Sequence, residues 1–206
     1  MEEIKEQLVL IDGEIMPLEA AYIDANDRAF SFGDGVFEIT PVYNGRCFAL
    51  LPHMNNLFDS IIKIKIPGVY MIEELVEYHE NLLAETGLQN CEIYTQISRG
   101  SGVYNLAYPK MSVPHLTMYA VPVDREALAE KREKGVVLCT YEDKRWEYCD
   151  VNTTNRLPEV LAKEKATIGR YFDALFVRDG KITETTEASF FVYKDGILWT
   201  HPENNH

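Results

Sequence analysis

Four of the Asx-Gly dipeptides constrain this chain more than any other feature. They are Asp12-Gly13 between LVLI and EIM, Asn44-Gly45 between FEITPVY and RCFAL, Asp179-Gly180, and Asp195-Gly196 between FFVYK and ILWT. Such pairs tolerate positive φ at both turn positions and so join antiparallel strands by two-residue turns. Each predicts a hairpin, which puts strands near both ends of the sequence.

Between the early hairpins and residue 90 the hydrophobic period changes. Met54, Leu57, Phe58, Ile61 and Ile62 recur at helical spacing, with Pro52 placed for the first turn. A second amphipathic helix is predicted from Ile72 to Thr86, with Ile72, Leu75, Val76, His79, Leu82 and Leu83 on one face and Gly87 as its stop. His79 reads as a helix-face residue at a packing boundary, not a ligand. CEIYTQISRG and HLTMYAVPV read as strands rich in β-branched and aromatic residues, closing a first domain of sheet plus two helices.

DREALAEKREKG is charged and helix-prone, a connector or a short solvated helix. After it VVLCTYED reads as a strand, Pro158 to Gly169 as a helix, and FDALFVR, SFFVYK and ILWT as strands. The expected architecture is α/β in the α+β sense. A small amino-terminal domain covers residues 1–122, a connector 123–134 and a second domain 135–206.

Charge and cysteine usage narrow the function. With 33 acidic against 20 basic residues the formal net charge is −13, which opposes attraction to phosphate backbones or anionic membranes. Nucleic acid and membrane are not expected partners. Cys47, Cys91, Cys139 and Cys149 stand far apart with no C-x-x-C pair, which fits reduced, mostly buried thiols. The acidic start MEEIKEQLVL is unlike a secretory signal. A cytoplasmic protein is expected. His201 and His206 lack a fixed third ligand, and no metal site is assigned.

Residues 24–48 (DANDRAFSFGDGVFEITPVYNGRCF), 93–100 (IYTQISRG), 143–151 (DKRWEYCDV), ITET at 182–185 and KDGILWTHPENN at 194–205 together resemble the class IV aminotransferases. FGDGVFE is nearer to the pattern of the D-amino-acid enzymes than to that of the branched-chain enzymes. The resemblance implies a fold type IV, pyridoxal-phosphate-dependent homodimer with a small α/β amino-terminal domain and a barrel-like carboxy-terminal domain. It implies pyridoxal-phosphate-dependent transamination of an amino acid, here a D-amino acid, with a 2-oxo acid. A lysine holds the cofactor and shuttles the proton, a carboxylate faces the pyridine nitrogen, and an arginine takes the phosphate.

Carried over position by position, the resemblance is uneven. Glu184 matches the carboxylate that faces the pyridine nitrogen. Asn152 falls where the Schiff-base lysine is expected, two residues after Asp150, and an amide can neither form an imine nor shuttle a proton near neutral pH. Asn56 falls at the phosphate-arginine position, losing the charge and the paired donors of a guanidinium. Phe37 stands in place of a substrate-pocket tyrosine. Tyr104 and Leu106 stand in place of the arginine and histidine that hold the substrate carboxylate.

No other lysine is a ready substitute: Lys144 lies eight residues before Asn152, roughly 26 Å away along a strand, and Lys163 and Lys165 lie on the following helix. After THPENN the family continues through a glycine-rich turn and further strands. The expectation is therefore an incomplete barrel with an unpaired sheet edge, a self-associating chain, and a catalytically impaired relative that binds pyridoxal phosphate weakly or not at all, and non-covalently. The alternative is an active aminotransferase, or an aminodeoxychorismate-lyase-like enzyme, with a non-standard site.

Overall fold

In the computed structural model, which describes residues 7–68 and 70–202, the chain divides into two compact units. One comprises Met1–Arg125 together with Val151–Asn155, the other Glu126–Asp150 and Arg156–His206. The first contains β1 (Leu8–Ile11), β2 (Glu14–Pro17), α1 (Arg28–Phe32), β3 (Gly35–Tyr43), β4 (Arg46–Cys47), α2 (Leu50–Lys63), α3 (Ile72–Thr86), β5 (Cys91–Ser98) and β6 (His115–Pro122). Its six strands form one sheet in the order β2-β1-β6-β5-β3-β4, with every neighbouring pair antiparallel.

These four Asx-Gly pairs are two-residue hairpin turns. φ is 49° and 93° at Asp12-Gly13, 50° and 72° at Asn44-Gly45, 51° and 74° at Asp179-Gly180, and 53° and 78° at Asp195-Gly196. Positive φ at both positions matches the right-handed twist of the flanking strands.

Alternation along β3 sends Val36, Thr40 and Val42 inward, where all three are fully buried. There they join Met54 and Leu57 of α2, Leu75 and Leu82 of α3, and Ile93, Leu116 and Met118 of the neighbouring strands in one core. His79 departs from expectation: it is fully buried within this core and not at its boundary. Its Nδ1 donates to the Leu75 carbonyl at 2.6 Å, and its Nε2 lies 3.1 Å from Thr95 Oγ1 and 3.4 Å from Thr40 Oγ1. Polar partners on both nitrogens permit this depth. Helical periodicity finds the face of α3 but cannot find hydroxyls waiting on two strands.

The sequence FSFGDG builds a second buried polar feature. Asp27 caps α1 by accepting from the Ala29 N–H at 2.7 Å. Gly33 ends the helix with φ 67°, and a Cβ there would lie 2.9 Å from Asn155 Cβ. Asp34 then sits between two guanidiniums, with Arg28 Nε at 2.7 Å and Arg99 Nε at 2.9 Å. Arg28 donates onward to the Asn105 carbonyl at 2.6 Å, and Arg99 to the carbonyls of Lys65 and Ile64, both at 2.6 Å. Both arginines are almost completely buried.

In the second unit, α4 (Arg125–Lys134) has no buried residue along its length. β7 (Leu138–Glu142), α5 (Leu157–Ile168), β8 (Asp173–Arg178) and β9 (Lys181–Thr185) follow. β7 and β8 are parallel, with α5 in the connection between them, and β8 and β9 are antiparallel. Ala162, Ala166, Ala174 and Phe176 make a small core. β10 (Phe191–Lys194) and β11 (Ile197–Thr200) form a separate hairpin whose residues are all exposed.

Two further expectations change. The chain leaves strand geometry after Glu142, so spacing along an extended strand does not separate Lys144 from Asn152. Of the four free cysteines only Cys91 is buried, and the other three are half-buried. Among the described residues no helix is long and apolar enough to cross a membrane.

Asp34→Ala leaves two buried guanidiniums without their shared carboxylate, a loss of roughly 3–5 kcal/mol. A urea titration that moves by less than about 1 kcal/mol would show that the arginines find other partners. His79 gives a separate acid signature. Burial, opposed by the Leu75 carbonyl and assisted by nearby His53, lowers its pKa from 6.5 to about 4. The unfolded chain therefore binds this proton first as pH falls. Stability should decline from about pH 6.5 to about pH 4, and a thermal melt series on His79→Gln should lack that decline.

Candidate active site

β4 is only two residues long and pairs with β3 only at Val42 and Tyr43. The Gly35–Phe37 edge of β3 is thereby left open on the side away from β5. The segment around Asn152 fills it. The Phe37 N–H donates to the Asn152 carbonyl at 2.8 Å, the Thr154 N–H donates to the Gly35 carbonyl at 3.0 Å, and Val36 bridges Thr153.

This pairing presents the Asn152 side chain to the amino-terminal unit. Its Nδ2 donates to Glu38 Oε2 at 3.3 Å, while Glu38 Oε1 lies 2.9 Å from His53 Nδ1 on α2. Glu38 is 7% exposed, and both its oxygens are engaged. Next to it on the strand, Phe37 is buried on the opposite face. Its ring stacks on Tyr94 at 5.3 Å and 15°, and Tyr94 stacks on Tyr119 at 5.1 Å and 28°. Asn56 is exposed on α2, three residues beyond His53.

Tyr104 and Leu106 stand together on the loop after β5, about 80% exposed. The loop backbone is nonetheless held. Arg28 takes the Asn105 carbonyl, and the Arg99 guanidinium lies 3.7 Å from the centre of the Tyr108 ring. Tyr104 also packs its ring against Phe32, with centroids 5.1 Å apart.

Glu184 belongs to the second unit, on β9, where its carboxylate pairs with Arg145. Arg145 is also held by Asp143 at 2.9 Å, and Asp143 receives Arg178 at 3.1 Å and the Thr183 hydroxyl at 2.9 Å. Burial alone would raise the Asp143 pKa, but hydrogen bonds and charge from Arg145 outweigh it and bring the group to about 2. The same contacts hold the Arg145 guanidinium above its ordinary range against the opposing effect of burial.

The lysines weighed as substitutes each have partners of their own. Lys144 pairs with Glu142 at 2.9 Å, Lys163 with Glu187 at 3.0 Å, and Lys165 donates to the Thr140 carbonyl at 3.3 Å. The hydrogen bond that Lys144 donates to Glu142 raises the Lys144 pKa. For Lys163 burial pulls downward, but Glu187 and Asp173 prevail and the pKa rises. His201 Nδ1 lies against the Pro202 carbonyl, and His206 lies outside the described residues. Among the described residues no group of three or more His, Cys, Asp or Glu is arranged to hold a metal ion.

Of the residues singled out in the sequence, the structure brings Asn152 and Phe37 together and sets Tyr104 beside Leu106. Sequence reasoning missed Glu38 and His53. Glu38 had a signal: it shares the parity of Val36, Thr40 and Val42, so it is a charge at an inward position of a strand. Arg145 was visible only as part of DKRWEYCDV.

The family model described as "Amino-transferase class IV" matches residues 35–205. A D-alanine aminotransferase of Staphylococcus epidermidis is 36% identical over 198 residues, covering 96% of this chain and 70% of that protein. Among solved structures, the branched-chain amino acid aminotransferase of Escherichia coli superposes with a TM-score of 0.83 at 22% identity, over 95% of this chain and 68% of that one. A hypothetical aminotransferase of Mycobacterium tuberculosis, solved in its PLP-bound form, gives 0.78 at 22% identity, over 95% and 71%. The architecture described above is that of these aminotransferases.

The Asp143 cluster predicts its own titration. Its folded pKa of about 2 lies below the ordinary 3.8, so its contribution is present above about pH 4 and is lost as pH falls towards 2. Thermal melts should show this acid loss in the native chain and not in Asp143→Asn. An unchanged slope in that variant would mean that the cluster does not stabilise the fold.

Proposed function

The chain belongs to the class IV aminotransferase family, and from that premise we propose that it is a catalytically impaired relative of the D-amino-acid aminotransferases. The observation that carries the reading is Asn152. At the position matched to the family's lysine stands an amide whose nitrogen donates to the Glu38 carboxylate. An amide lone pair is delocalised into its carbonyl, so this nitrogen is neither a nucleophile nor a base at neutral pH. Losing an acid/base group of this kind lowers rates by about 10² to 10⁴.

Pyridoxal phosphate, when bound, supplies an electrophilic carbon and a ring that stores electrons. The residues here do not fit its covalent attachment. Asn152 offers no amine, and Asn56, matched to the phosphate arginine, is neutral and exposed. Glu184 retains the chemistry of the ring-nitrogen partner, and its ion pair with Arg145 orients the carboxylate. Tyr104 and Leu106 offer no cation to a substrate carboxylate. The reading is thus of weak, non-covalent cofactor binding, with small amino acids or 2-oxo acids as the ligand class, a homodimer as the assembly, and the cytoplasm as the compartment. The four free thiols support that compartment.

Borohydride treatment with pyridoxal phosphate, followed by intact-mass measurement, should leave no stoichiometric adduct. A single adduct on one residue overturns the reading. Asn152→Lys alone should not turn over D-alanine and 2-oxoglutarate above background, because Asn56, Tyr104 and Leu106 remain. Sustained turnover by that single variant would show that the rest of the pocket is intact.

A further inference from the structure

Glu38 is the only charged residue of β3, and it faces inward among Val36, Thr40 and Val42. Its cross-strand partner is Thr95 of β5, itself fully buried. A carboxylate in such surroundings is stable only if its oxygens are hydrogen-bonded. His53 supplies one donor from α2, and the side chain at 152 supplies the other.

The second donor is delivered by backbone geometry. The pairing of Asn152 and Thr154 with the Gly35–Phe37 edge fixes the chain whatever side chain stands at 152. We propose that Glu38, backed by His53, is a positioning residue that forms an acceptor seat for the side chain at position 152 and sets the protonation of any amine placed there. The asparagine fills that seat with an uncharged donor. A lysine would fill it as an ammonium paired to Glu38, and so would be a poorer nucleophile near neutral pH than a lysine without that carboxylate.

The titratable group facing Glu38 from α2 is His53. Behind it on α3, His79 is tied to Leu75, Thr95 and Thr40. The partner on β5 is a hydroxyl, so His53 is the group whose protonation competes with a cation at 152. The inference rests on reading position 152 as the family's lysine position.

The test compares Asn152→Lys with Asn152→Lys/Glu38→Gln in the full chain. Reductive ¹³C-methylation and NMR titration read the introduced amine directly. With Glu38 present its midpoint should lie about one pH unit higher, the shift expected of a close opposite charge. Equal midpoints overturn the inference.

A second comparison needs no alkaline titration. Asn152→Asp places two carboxylates against each other, so the folded pair holds its proton to higher pH than the unfolded chain. The melting temperature of that variant should therefore drop relative to the native chain between about pH 4 and pH 7, and Glu38→Gln should restore it. A pH-independent difference overturns the inference.

Pyridoxal phosphate separates this inference from the family reading. An adduct whose formation does not depend on residue 38 overturns the inference and leaves the family reading standing. A midpoint that depends on Glu38, with no adduct at any pH, supports the inference and counts against position 152 as a site of covalent cofactor attachment.

Discussion

Asp34 holds the amino-terminal unit together through charge. Two guanidiniums buried in protein are unfavourable unless each is paired and its remaining N–H groups are satisfied. Here one carboxylate pairs with both, and the leftover donors go to carbonyls from separate parts of the chain: Asn105 after β5, and Ile64 and Lys65 after α2. Burial would by itself raise the Asp34 pKa, but hydrogen bonds from Arg99 and Arg28 prevail and lower it. The end of α1, the start of β3, the exit of α2 and the loop bearing Tyr104 and Leu106 are fixed relative to one another by this group. A loop whose Asn105 carbonyl is anchored follows, with Tyr104 and Leu106 still largely exposed.

The same economy governs the site. Glu38 and Asp34 lie on or next to β3, and both are acidic groups kept inside by donors brought from other elements. In one case the donors are arginines and the contact is a permanent brace. In the other they are a histidine and an amide, which leaves a place where the identity of one side chain decides the local charge. The aromatic stack of Phe37, Tyr94 and Tyr119 stiffens the opposite face of the strands, so a change at 152 is felt as chemistry more than as movement.

Much of this was legible in the sequence wherever the physics is local. The Asx-Gly turns mark their hairpins because positive φ is a property of two residues. α3 spans Ile72–Thr86 as its periodicity indicates, because the apolar stripe needs only one face to bury. Legibility ended where partners come from far away. Nothing near His79 announces the hydroxyls of Thr40 and Thr95, and nothing near Asn152 announces that the chain there lies along β3. Helical spacing puts Asn56 opposite the apolar stripe, where it is exposed, but gave no hint that His53 reaches Glu38. The resemblance named positions 152, 184, 56, 37, 104 and 106, and the structure added what their neighbours are.

The shortness of β4 has a consequence for the order in which this protein can be made. The free edge of β3 waits for a segment 114 residues later than Glu38. At synthesis rates of about 5–20 residues per second that is a delay on the order of ten seconds. Once β6 has been made, β1, β3, β5 and β6 can pair on the nascent chain, but until the segment around Asn152 follows, Gly35 and Phe37 have no neighbour on their outer side. The emerging polypeptide thus carries one bare stretch of backbone until the ribosome has passed into the second unit, and closure of the first sheet is timed by translation of a segment embedded in the other.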